Sequence, residues 1–131
     1  MLLQILVCLL LTNSTTSTNT RSYAITYTQA KLIHNEHVGN EWARGVWLGE
    51  ERLRPGQAYR IPAGSSPTLS VAAEETNEKY NDRGDASIIL TATKLARAHA
   101  DGGFTLDVTV VERNGRYAGG RAVWRFWFLV K

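Results

Sequence analysis

With 131 residues, 15 basic and 12 acidic side chains and a formal charge of +3, the chain has room for one domain of about 100–200 residues. So mild a balance excludes the dense cationic patch of a dedicated nucleic-acid binder, and no nucleic-acid partner is expected. The only cysteine, Cys8, excludes a disulfide framework, and with it a small fold held together by cross-links.

Met1–Leu11 is apolar, and Thr12–Thr20 contains only Ser, Thr and Asn. An apolar run of eleven residues is too short to span a bilayer, which needs about 20. Its length suits the apolar segment of a secretory signal, although no Lys or Arg precedes it and no A-x-A cleavage site follows. Residues 1–20 are therefore read as a leader, residues 21–131 as a single domain, and the protein as secreted. Loss of the leader would remove Cys8, leaving neither a thiol nucleophile nor a thiolate ligand.

Arg21–Ile33 opens the domain as a strand, with Tyr23, Ile25 and Tyr27 alternating against Ala24, Thr26 and Thr28. His34–Asn40 is a polar turn. Glu41–Leu48 is a second strand, in which Gly45 signals a bulge or a close approach of backbone. Gly49–Gly56 is charged and closes on Pro55-Gly56, a turn. Gln57–Ile61 and Thr68–Ala73 are the next strands, separated by the Pro62–Pro67 break. Glu74–Asp85 reads as the longest polar connection, and Ala86–Thr93 returns to strand character through Ile88, Ile89 and Leu90. Lys94–Ala98 has helix formers enough for one short turn before Asp101-Gly102-Gly103. Phe104–Glu112 and Ala122–Val130 form the closing pair of strands. Phe104, Leu106, Val108 and Val110 share one face of the first, and Trp124, Phe126, Phe128 and Val130 one face of the second. Seven or eight short strands at such spacing predict an all-β fold, an antiparallel β-sandwich.

The chemistry-bearing candidates lie in the polar connections. Residues 74–85 hold five of the 12 acidic side chains. Calcium takes six to eight oxygen ligands, and Asn77, Glu78, Asn81, Asp82 and Asp85 offer carboxylate and amide oxygens. Glu41 would join them if both polar connections lie at one end of the sandwich. The alternative is a solvated loop with Lys79 and Arg83 as salt partners. His34 and His37 are spaced one residue short of a helical His-x-x-x-His pair, and no third zinc ligand is evident. No Gly-x-Ser-x-Gly motif and no Gly-rich phosphate loop occur, so the domain is expected to be non-catalytic.

Glu74, followed after six residues by Asn81-Asp82-Arg83-Gly84-Asp85 and then the apolar Ser87-Ile88-Ile89-Leu90, resembles the calcium-dependent lipid-binding β-sandwiches of the C-two type. The resemblance covers roughly residues 68–92. It implies Ca²⁺ held by Asp82 and Asp85 with Asn81 beside them, and contact with a membrane surface.

Trp42 and Trp124 fall on faces assigned to the core, whereas Trp47 and Trp127 fall opposite. An exposed pair of indoles would make a platform for sugar rings. Arg44, Arg113, Arg116, Arg121 and Arg125 would add a basic stripe beside Trp127, suited to a sulfated glycan, a phosphate or an acidic protein. The leading expectation is a secreted binding module with a calcium-ordered acidic loop and a protein or glycan partner. The alternatives are a lectin-like protein using Trp47, Trp127 and Arg125, and a small toxin or protease inhibitor presenting Arg52–Gly56. A monomer and a dimer paired through edge strands are both compatible with such a sheet.

Overall fold

The computed structural model describes residues 21–76 and 81–131. Among them are eight strands and one helix: β1 (Tyr23–Asn35), β2 (Trp42–Leu48), β3 (Glu51–Arg52), β4 (Ala58–Ile61), β5 (Thr68–Glu75), β6 (Asp82–Ile89), α1 (Ala92–Asp101), β7 (Phe104–Val111) and β8 (Arg121–Val130). They make two antiparallel sheets of four strands, ordered β4-β1-β8-β7 and β3-β2-β5-β6. The all-β sandwich expected from the alternation is the fold observed.

β8 is central to the first sheet, with β1 on one side and β7 on the other. Trp124, Phe126, Phe128 and Val130 turn inward and are buried, as the period of two requires. Ile25 and Tyr27 of β1 and Val108 and Val110 of β7 join them. The second sheet contributes Val46, Leu69, Val71 and Ala73. Aromatic rings of β1, β7 and β8 interlock: Tyr27 lies 6.0 Å from Phe126, and Phe104 stacks on Phe128 at 5.1 Å.

Three elements differ from the sequence reading. β5 continues to Glu75 and β6 begins at Asp82, so much of the expected polar connection is a β-hairpin in continuous register from Thr68↔Ile89 to Glu75↔Asp82. Arg83, Asp85 and Ser87 are charged or polar because they face water, while Asp82, Gly84, Ala86 and Ile88 turn inward. The short helical turn is a ten-residue helix. Thr91 caps its start, its Oγ1 accepting from the Lys94 N–H at 3.2 Å. Gly102, in the left-handed region at φ 79°, ends it; the Gly103 and Gly102 N–H groups donate to the Ala98 and His99 carbonyls. Leu95 and Ala98, three residues apart, bury its inner face. The third difference is β3, two residues inside the stretch read as a turn.

Each side of the sandwich is built differently. On one side the sheet edges β6 and β7 touch at Gly84. A Cβ there would stand 2.2 Å from the Thr109 carbonyl oxygen, so only glycine lets these backbones meet. On the other side the flanking strands stop short. β4 pairs only with Tyr23–Thr26 of β1, and β3 only with Trp47 and Leu48 of β2.

Candidate functional site

Where β4 and β3 stop, the space between the sheets opens as a cleft of about 450 Å³. Tyr27 of β1 forms one wall. Arg44, Gly45 and Val46 of β2 form another, and Arg52, Leu53, Arg54 and Pro55 close it. Backbone hydrogen bonds fix the closing segment: the Leu53 N–H donates to Val46 and the Gly56 N–H to Tyr27, both at 2.8 Å. The Arg54 N–H donates to the Tyr59 hydroxyl at 3.0 Å. Leu53 is buried beneath, so the Arg52–Gly56 stretch is anchored to both sheets.

Two guanidiniums of the cleft rest on indoles. Arg44 lies over the Trp124 ring at 4.5 Å and Arg52 over the Trp47 ring at 5.6 Å. Arg52 also donates from its Nη2 to the Arg44 carbonyl at 3.1 Å. Such contacts hold a planar guanidinium in orientation while leaving donors for a ligand. Among the described residues, none of Arg44, Arg52 and Arg54 forms an ion pair with a carboxylate. Burial raises the Tyr27 phenol above its ordinary pKa, against a smaller pull from the Arg44 charge, so the hydroxyl stays protonated near neutrality.

A second hollow, of about 200 Å³, adjoins the cleft on the outer face of the β2–β5 region and shares Arg44, Gly45 and Arg52 with it. Its wall is Trp47. A Cβ on Gly45 would lie 2.2 Å from the Trp47 ring, so the indole folds back over its own strand onto the bare glycine. The close approach expected at Gly45 is therefore made by a side chain two residues away, and Gly45 keeps regular register with Ala72.

No family model matches this chain, and no curated protein matches it. Function must be read from the cleft and from where the other candidate residues stand.

Trp47 and Trp127 do not form one platform. Trp47 is on the outer face of the sheet containing β2, and Trp127 on the outer face of the sheet containing β8. Arg125, next to Trp127 on β8, is held by Asp107 across the β7–β8 pair, with Nε and Nη2 donating to the two carboxylate oxygens at 2.8 and 2.9 Å. The basic stripe is likewise divided. Arg44 is in the cleft, whereas Arg113 and Arg116 lie between β7 and β8, with Arg116 over the Tyr117 ring at 5.6 Å.

The hydrogen bond from Arg125 lowers the Asp107 pKa below its ordinary 3.8. A depressed carboxylate contributes stability above its unfolded pKa and loses it as pH falls through the folded one. Asp107→Asn is therefore expected to lower the urea midpoint slightly at pH 7, and the difference from the wild type should shrink progressively as pH falls below 3.8. A difference that persists unchanged in acid would show that the pair contributes through shape and not charge.

The acidic candidates separate as well. Asp82 turns inward at the start of β6 and is buried, its Oδ1 accepting from the Arg113 N–H at 3.2 Å. Asp85, three residues on, faces outward and is exposed. The two carboxylates leave the sheet on opposite faces and do not converge. Glu41 is exposed just before β2, and its carbonyl accepts the Thr76 N–H at 2.8 Å. Asn81 is exposed beside β6; Asn77 and Glu78 lie outside the described residues. Among the described residues, no three His, Cys, Asp or Glu side chains are grouped to hold one ion. His34 donates from Nε2 to Glu36 Oε1 at 2.7 Å, and His37 stacks on Tyr117 at 4.5 Å, so the two imidazoles serve different contacts.

Sequence reading took Arg52–Gly56 as a turn that a toxin or protease inhibitor could present, and missed Arg52 and Arg54 as cleft residues because nothing local places that turn against β1 and β2. The Trp47–Gly45 spacing was the one local sign of the second hollow. Glu75 and Glu112 were missed as buried acids; the Glu75 carboxyl occupies the space a Gly39 side chain would fill, and Glu112 Oε1 accepts from the Asn114 N–H at 3.2 Å.

Proposed function

We propose that this chain is a secreted, non-catalytic binding module that takes an acidic sugar, sulfated or carboxylated, in the cleft between Tyr27, Arg44, Arg52 and Arg54. The observation that carries this reading is three guanidiniums on one cleft that have no carboxylate partner among the described residues, two of them set on indole faces. Planar guanidiniums bind the oxygens of a sulfate or carboxylate in pairs. A volume of 450 Å³, at about 30 Å³ per non-hydrogen atom as in liquid water, suits roughly fifteen such atoms, the size of one sulfated sugar ring. The adjoining hollow under Trp47 offers an apolar surface for a neighbouring ring. Secretion is supported by the apolar run Met1–Leu11.

Titration calorimetry with a sulfated oligosaccharide and its unsulfated counterpart tests this reading. The sulfated form is expected to bind, and binding should weaken as salt is raised from 50 to 200 mM, an ionic-strength range over which the screening length shrinks to about 8 Å or less. The double variant Arg44→Ala, Arg52→Ala should lose roughly 10- to 100-fold in affinity, while Arg116→Ala at the β7–β8 connection stays at the wild-type value. Equal binding of both sugars, or equal loss in the Arg116 variant, would refute it.

A further inference from the structure

A third concavity lies on the opposite side of the sandwich from the arginine cleft, and none of the residues that line it line the cleft. The edges of β6 and β7 are pinched together at Gly84 and Thr109. Towards the other ends of these strands a hollow of about 270 Å³ separates Ile88 and Leu90 from Phe104 and Leu106. Ile88, Phe104 and Leu106 are only partly buried, although all three pack on the core. They form an apolar floor that neither sheet covers.

α1, the connection between β6 and β7, lines one side of this hollow with Lys94, Arg97, Ala98 and Asp101. Ala98 turns its methyl toward the floor, and a residue this small leaves the space unfilled. Lys94 and Arg97 stand at the rim, three residues apart and so on one face of the helix. Arg97 has a loose contact with Asp101 at 3.9 Å, both side chains largely in solvent. Lys94 has no ion pair among the described residues. The rim thus carries two cations against one anion, above a floor of aliphatic and aromatic carbon.

We infer that this hollow is a binding site for a free medium-chain alkyl carboxylate, with the chain on Ile88, Phe104 and Leu106 and the carboxylate at Lys94. An apolar floor with a cationic edge matches a ligand that is apolar along its length and anionic at one end. At about 30 Å³ per non-hydrogen atom, the volume accepts about nine or ten atoms, the size of octanoate. For so small a ligand on an open site, a dissociation constant on the order of 0.1–1 mM is expected. The inference does not depend on the sugar reading of the arginine cleft.

The test is a backbone amide NMR titration of the full chain with octanoate, hexanoate and 1-octanol. Octanoate should shift residues of β6, α1 and the start of β7 saturably. Hexanoate, two methylenes shorter, should bind roughly tenfold more weakly. Lys94→Glu should weaken octanoate about three- to fivefold and leave 1-octanol unchanged. That substitution also creates a Thr-x-x-Glu capping box with Thr91, so α1 should be as stable as before or more so, and lost binding is not lost folding. Three results would overturn the inference: no saturable shift up to about 5 mM octanoate, shifts centred on Arg44 and Arg52, or equal weakening of octanoate and octanol by Lys94→Glu.

Discussion

Phe126→Ala is expected to remove about 3–5 kcal/mol of folding stability and to lower the thermal midpoint by about 12–20 °C. Phe126 has no solvent exposure and sits in β8, the strand flanked by β1 and β7. Its cross-strand neighbours are Ala30 on one side and Leu106 on the other, and neither is large enough to move into the vacated space. The cost therefore combines lost transfer energy with a cavity that stays open. Tyr27, 6.0 Å away, loses one of the two rings against which it packs, Phe128 remaining at 5.9 Å, so the wall of the arginine cleft should loosen in the same variant. Leu129→Ala on the opposite face of the strand is the control. Leu129 is 42% exposed, and the change should cost well under half as much. Urea unfolding of both variants checks the prediction; equal losses would mean that β8 does not have the inner and outer faces described.

Gly84→Val is the second large effect, expected at about 3 kcal/mol. The obstacle is backbone: the added Cβ meets the Thr109 carbonyl oxygen at 2.2 Å and its carbon at 2.9 Å. No rotamer relieves that contact, so β6 and β7 must separate along the side where the sheets touch. Ser87→Ala, on the exposed face of the same strand, should stay within about 0.5 kcal/mol of the wild type. A neutral Gly84→Val, measured by chemical denaturation, would show that the two edges are not in contact. Because Gly84 sets the pinch at one end of β6 and β7, the valine variant should also change the shape of the hollow at the other end.

Most of the strand pattern was legible because alternation survives in a sequence wherever one face is buried. β7 and β8 appear within one residue of the expected limits, with the expected residues inward. β6 was displaced because its outer face carries charge and its inner face is small. Arg83, Gly84 and Asp85 look like a loop until β5 and β7 are set against them. The full length of α1 was hidden because only two of its ten residues are buried. Its caps, Thr91 and Gly102-Gly103, were present in the sequence and specify both ends.

The candidate sites were less legible, since a local pattern tells which face a side chain takes but not which sheet it belongs to. Trp47 and Trp127 both alternate away from core residues, yet the strand order assigns them to different sheets and so to opposite surfaces. Asp82 and Asp85 looked like neighbours in a loop and became opposite faces of one strand.

The amino-acid sequence by itself determined that two layers of alternating strands would close over an aromatic interior, because burial of one face imposes a period of two on every strand. Tertiary structure alone decided where the sandwich opens. The cleft exists because β4 and β3 end early, and the opposite hollow lies beyond the place where β6 and β7 close on each other at Gly84. Both depend on contacts between residues distant in the chain, such as Tyr27 with Arg44 or Gly84 with Thr109. No local window contains both members of either pair.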